Sequence, residues 1–166
     1  MTAGDSPLQP THLDAQGRAR MVDVSEKAST ARRAIARAII ELTSEVRRAV
    51  LEGALPKGEA LGVARVAGIQ AAKETARLLP LCHPLPLTGV EVRFEPSGDR
   101  EIEVRAEVRT VGPTGVEMEA LCAANVAALT IYDMTKALHR GARIHSVELL
   151  LKSGGRSGEW RRPEAS

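Results

Sequence analysis

The chain has 166 residues, 23 of them basic and 21 acidic, and the resulting formal charge of +2 argues against a protein built chiefly to neutralise nucleic-acid phosphates. A hydrophobic fraction of 43% allows a real core, yet only Phe94, Tyr132 and Trp160 are aromatic. The core must therefore be aliphatic and alanine-rich, and base-stacking platforms are not expected.

No apolar run reaches the ~18 residues of a membrane span, and the first residues lack the basic-then-apolar order of a secretory signal. Cys82 and Cys122 cannot make a disulfide framework, so a reducing, cytoplasmic setting is expected. Among the basic residues, 18 are arginine and five are lysine: Lys27, Lys57, Lys73, Lys136 and Lys152. Lysine changes its pKa readily where arginine stays protonated, which makes this short set a filter for chemistry.

In chain order, residues 1–17 read as a flexible arm, 18–155 as one α+β domain and 156–166 as a flexible, Gly- and Ser-rich tail. Arg18 to Val24 reads as a short strand. Asp23 and Glu26 have capping-box spacing ahead of a helix expected from about Ala28 to Glu52, with Ile35, Ile39, Leu42, Val46 and Val50 as its apolar stripe. Gly53 and Pro56 end it. A second helix is expected from about Ala60 to Leu79, where Gly62 and Gly68 mark close approach of another backbone or a ligand. Two alternating strands around the Ser97-Gly98-Asp99 turn make a hairpin with one wet face. A third helix, about Gly115 to His139, begins with a Thr114–Glu117 capping box. It is apolar nearly all round through ALCAANVAALTIY, which predicts a subunit interface as well as a core. The last strand, about Arg143 to Lys152, is expected to bury Val147, Leu149 and Leu151 on one face. The order points to an α+β, ferredoxin-like antiparallel sheet with helices on one face.

Four segments carry candidate chemistry. PLCHPLPLTG holds His83 in a proline-stiffened loop; Cys82, adjacent to it, points the other way on an extended backbone, and no zinc spacing exists among the histidines, so a metal site is not expected. GPTGVEMEA carries Glu117 and Glu119, about 200° apart on a regular helix, so they serve one small site only if the helix start is irregular or subunits share sites. YDMTK sets Asp133 and Lys136 on one helical face, where a partly buried carboxylate would position an ammonium and adjust its pKa. LLLKSGGRSG places Lys152 and Arg156 around glycines that let backbone approach phosphate oxygens.

Taken together, RMVDVSEKAST, ARVAGIQAAKETARLLPLCHPLPLTGVEV, TGVEMEALCAANVAALTIYDMTKA and LLLKSGG closely resemble the cyclic pyranopterin monophosphate synthase family of molybdenum-cofactor biosynthesis. The resemblance runs from about Thr11 to Gly158. It implies a ferredoxin-like subunit in a homohexamer, a trimer of dimers with sites at subunit interfaces. It also implies the reaction, a lyase step converting 3′,8-cyclo-7,8-dihydroguanosine 5′-triphosphate to cyclic pyranopterin monophosphate and pyrophosphate. No metal or organic cofactor, no nucleic acid and no membrane is implied. By motif, Lys57, Asp133 and Lys136 resemble the catalytic residues, while Arg32, Leu81, Cys82, His83, Glu117, Met118, Glu119 and Lys152 resemble the substrate-binding set. The competing expectation is a non-catalytic, oligomeric nucleotide- or phosphate-binding module that uses the same cations without turnover.

Overall fold

The computed structural model describes residues 16–163, so nearly all of the expected N-terminal arm lies outside the described residues. Its elements are β1 (Thr30–Glu41), α1 (Ser44–Leu51), α2 (Ala60–Leu78), β2 (Leu87–Ser97), β3 (Glu101–Gly112), α3 (Glu117–Thr135), β4 (Arg143–Ser153) and β5 (Trp160–Arg161). The sheet order is β2-β3-β1-β4-β5, antiparallel throughout. The first four of its strands, with α2 and α3 as crossovers, give the ferredoxin-like α+β arrangement expected from the sequence.

The largest departure is at residues 28–52. The stretch expected to be one helix is a central strand followed by an eight-residue helix. Ala34, Ala36, Ala38 and Ile40 are buried at every second position, while Arg33 and Arg37 point to the opposite face, which is the period of a strand. The helical stripe was coincidental: Ile35 and Ile39 lie on the charged face of β1, and Leu42, Val46 and Val50 belong to the turn and α1. Thr43, not Asp23, caps that helix, through its hydroxyl and the Val46 amide. Asp23 instead accepts from the backbone and side chain of Ser25 in a local turn. The segment 18–24 is not a strand; it runs irregularly apart from one isolated bridge residue.

α3 packs on α2, β1, β3 and β4. Its Ala120, Ala123, Ala124, Ala127, Ala128 and Ile131 are fully buried within one subunit and share a core with the alanines of β1. Small residues on both sides let helix and sheet approach closely. At Gly68 of α2, an added Cβ would lie 2.9 Å from the Ala123 carbonyl oxygen and 3.2 Å from both Ala127 and Val92, so the close approach expected of that glycine is present. Ala127 and Ala128 therefore serve the subunit core. The outward stripe of α3 is instead Asn125, Leu129 and Asp133.

The other sheet face is polar. Arg33 pairs with Glu107, Arg37 with Glu103 and Glu148, and Arg105 with Glu103. β4 carries two bulges against β1, where its register slips between Ile35 and Ala36 and between Arg37 and Ile39; Ser146 adopts φ 51° at the second. The bulges rotate the strand, so Val147 is exposed while Leu151 is buried and Leu149 packs partly against the core. Within the stretch read as a tail, Trp160 and Arg161 form β5 on the β4 edge.

Candidate active site

Both ends of α3 carry side chains of the candidate site. At its C-terminal end, Lys57 from the α1–α2 loop donates to the Asp133 backbone carbonyl at 3.0 Å and lies 3.9 Å from the Asp133 carboxylate. Lys136 donates to the other Asp133 carboxylate oxygen at 2.6 Å. Two ammonium groups from separate elements thus flank one carboxylate. The hydrogen bond from Lys136, followed by the charges of Lys136 and Lys57, holds Asp133 below the ordinary aspartate value. In return, the hydrogen bond and charge of Asp133 raise Lys136 above the ordinary lysine value. The partial burial expected for this pair is not present in the single subunit: the Lys136 and Asp133 side chains are 53% and 58% exposed. The reason is position, since α3 turns its alanine face to the core and this face outward.

At the N-terminal end, Leu81, Cys82 and His83 meet Glu117, Met118 and Glu119 around a cavity of about 420 Å³ that Val22, Lys27 and Thr114 also line. Cys82 and His83 line it together, although adjacent residues on an extended chain point apart; the turn closed by the Cys82 amide and the Leu79 carbonyl changes that geometry. An imidazole nitrogen of His83 lies 2.8 Å from the Val22 carbonyl oxygen, which ties the loop to the 21–24 segment. Glu117 and Glu119 also reach this one cavity, because it wraps the helix start rather than lying on one side of it. Val116 (φ −118°, ψ 27°) precedes the helix without a side-chain cap, so the Thr114 capping box does not form.

Glu119 is the electrostatic outlier. It is only 4% exposed, and burial, reinforced by the charge of Glu117, pushes its pKa up to about 7 despite a lowering contribution from its own backbone amide. At neutral pH it divides its time between an acid that can donate a proton and a base that can accept one. The same burial, with Glu119 and Cys122 nearby, pushes the Cys82 thiol up, which keeps it protonated.

Of the remaining two residues, Arg32 lines a second cavity of about 560 Å³, and Lys152 reaches it only through Ser157. Arg32 belongs to its wall and donates from Nε and from one terminal nitrogen to the Gly112 and Pro113 carbonyls, at 3.0 and 2.9 Å. Lys152 is held by the Ser157 hydroxyl and, at 2.9 Å, by the Gly158 carbonyl. The two cavities share Lys27, Thr114 and Gly115. Lys27 was not among the sequence-derived site residues, although the scarcity of lysine had marked it. Lys73, another of the five, lines a small cavity with His83 and Glu119.

The pattern of the MoaC family matches residues 21–155, from the strap over His83 to the glycines after Lys152. The chain belongs to the MoaC family. It is 57% identical over 155 residues to a cyclic pyranopterin monophosphate synthase from Thermomicrobium roseum, covering 93% of each chain. It is 54% identical over 154 residues to a protein of the same name from Chloroflexus aurantiacus, covering 92% of this chain and 94% of the relative. For a MoaC chain, the structure brings Lys57, Asp133 and Lys136 together, and it brings Leu81, Cys82, His83, Glu117, Met118 and Glu119 together. It separates those two groups: Glu117 and Asp133 are sixteen positions apart on one helix, about 24 Å along its axis.

Proposed function

We propose that this chain is a cyclic pyranopterin monophosphate synthase, a lyase of molybdenum-cofactor biosynthesis. It acts on 3′,8-cyclo-7,8-dihydroguanosine 5′-triphosphate and releases pyrophosphate. The observation that carries the reading is the Lys57–Asp133–Lys136 triad, assembled from a loop and a helix end within a chain that is 57% identical to a synthase of that name.

Each part of the reaction finds residue types suited to it. Opening and rebuilding the purine-derived rings needs protons moved at neutral pH. Glu119, near pH 7, suits that role, while the Lys136 ammonium, oriented by Asp133 and kept protonated by it, can act as the proton donor. Cyclic phosphate formation has a ribose-derived hydroxyl attack the α-phosphorus. Its proton passes to a base, the bond to the β-phosphate oxygen breaks, and pyrophosphate leaves. Arg32 and Lys152 supply positive charge where the leaving group develops negative charge. His83, with Leu81 and Cys82, shapes the cavity that takes the ring system.

One small reacting centre cannot touch both Glu117 and Asp133, about 24 Å apart along α3. The complete site therefore combines the triad of one subunit with the cavity of another, in a homohexamer arranged as a trimer of dimers. Exposed Val63, Val66 and Leu129 on α2 and α3 offer apolar surface for such contacts. A reducing, cytoplasmic setting suits two free cysteines.

Supplying the cyclised nucleotide to the purified protein tests the reading. Stoichiometric pyrophosphate and a cyclic phosphate product are expected. Tight binding of the nucleotide without pyrophosphate would leave a phosphate-binding module instead.

A further inference from the structure

We propose that Arg156 is a polyphosphate-binding residue: carried on the glycine-rich hairpin between β4 and β5, it completes with Lys27 and Arg32 a cationic cavity for the phosphates that leave as pyrophosphate. This deepens the synthase reading and rests on it.

The cavity wall draws Lys27 from the segment before β1, Arg32 from β1, and Arg156 and Ser157 from the hairpin. Three cations face a single acid, Glu26, in that wall. Most arginines of the sheet are engaged, Arg33, Arg37, Arg93, Arg105 and Arg143 all with glutamates. Arg156 and Lys27 differ: among the described residues neither side chain makes a hydrogen bond or an ion pair. Arg32 spends Nε and one terminal nitrogen on backbone carbonyls and keeps the other terminal nitrogen uncommitted, turned toward Gly155.

A second observation points the same way. Thr30 belongs to this wall, and its hydroxyl is the buried side-chain oxygen that lacks any partner among the described residues. An unsatisfied buried hydroxyl is costly, and a phosphate oxygen is the acceptor it lacks. Guanidinium groups bind phosphate oxygens through two parallel N–H donors, so Arg32 and Arg156 lining one cavity suit a chain of phosphates better than a single carboxylate.

The hairpin is built to hold Arg156 in place. Lys152 and Trp160 pair across β4 and β5, the Arg162 amide and Nε donate to the Leu150 and Leu149 carbonyls, and Arg162 pairs with Glu148. Gly154 (φ 97°) and Gly155 (φ 69°) make the turn, and a Cβ at either would collide with Ala31 or with the Arg32 guanidinium. The hairpin can lie against Arg32 only because both are glycine.

The test measures binding of inorganic tripolyphosphate to the full-length chain by calorimetry, with synthase kinetics alongside. Arg156→Ala is expected to weaken tripolyphosphate by about tenfold, to raise KM and to leave kcat nearly unchanged, while Arg156→Lys recovers part of the loss. Arg48→Ala, which removes an exposed charge on α1, is expected to match the unmodified protein. If Arg32→Ala weakens tripolyphosphate while Arg156→Ala behaves like Arg48→Ala, the assignment of Arg156 is overturned and the synthase reading stands. If the unmodified protein binds no tripolyphosphate yet releases pyrophosphate from the nucleotide, the cavity assignment falls as a whole. If no pyrophosphate is formed, the synthase reading falls, and the tripolyphosphate titration still decides the role of Arg156.

Discussion

Replacing Glu119 by glutamine changes how the stability of this chain depends on pH. The carboxyl is buried and its pKa is pushed from 4.5 to about 7, so between those values the folded chain holds a proton that the unfolded chain has released. The unfolded state then binds fewer protons, and stability falls as pH rises through that window, becoming flat above it. At 1.36 kcal/mol per pH unit, the gap between 4.5 and about 7 corresponds to about 3 kcal/mol of stability lost by pH 8. Glutamine has nearly the same shape and no charge to desolvate. Glu119→Gln is therefore expected to match the unmodified chain near pH 5 and to exceed it by about 3 kcal/mol at pH 8. Urea unfolding followed by far-ultraviolet circular dichroism at fixed protomer concentration, in steps from pH 5 to pH 8, measures the gap. Curves that stay parallel across that range would refute the claim that burial governs this carboxylate. The gain in stability should come with loss of turnover, since glutamine cannot move a proton.

Lys136→Arg keeps the charge and removes the capacity to deprotonate, so both it and Lys136→Ala should lose at least ~100-fold in kcat while still binding the nucleotide; an arginine variant with near-normal turnover would leave Lys136 as a charge alone. Asp133→Asn removes the partner that raises Lys136, so any alkaline limb of the pH–rate profile that reports this lysine should move to lower pH, and an unmoved limb assigns it to another group. Gly68→Ala inserts a methyl group against the Ala123 carbonyl oxygen; overpacking of about 1–3 kcal/mol outweighs the ~1 kcal/mol gained in helix propensity, and a chain stabilised in urea would contradict the packing. Leu129→Glu, on the exposed stripe of α3, should shift sedimentation toward smaller species while preserving the helical spectrum, whereas Ala127→Glu should unfold the subunit, and an intact assembly in the first variant would place the interface elsewhere.

Local pattern alone carried α2, the β2–β3 hairpin and α3. α2 and the hairpin strands show a helical or alternating apolar pattern, α3 a long apolar run, and their ends are marked by Pro80, by the 97–99 turn and by the glycines around 112–115. The site was legible to the extent that its chemistry depends on rare residue types: lysines in an arginine-rich chain, one histidine among prolines, and a carboxylate three residues from a lysine. The resemblance to a known family joins those types, spread over four separated motifs, into one expected site.

Other features had no local signal. β1 read as a helix because Ile35, Ile39, Leu42, Val46 and Val50 happen to follow a helical period, while the strand's buried face is alanine, which marks neither structure. Alanine is required there because α3 lies directly over β1, and that demand comes from the partner rather than from the segment. The bulges that expose Val147 depend on register against β1, and the pairing of Lys57 with Asp133 joins positions 76 residues apart. Burial raised Glu119 to about 7, a consequence of packing that the GVEMEA motif does not display by itself. The sequence thus determined which groups are present and what chemistry they can perform. Tertiary structure decided which of them meet and which lose water, because both depend on surfaces brought together from distant parts of the chain.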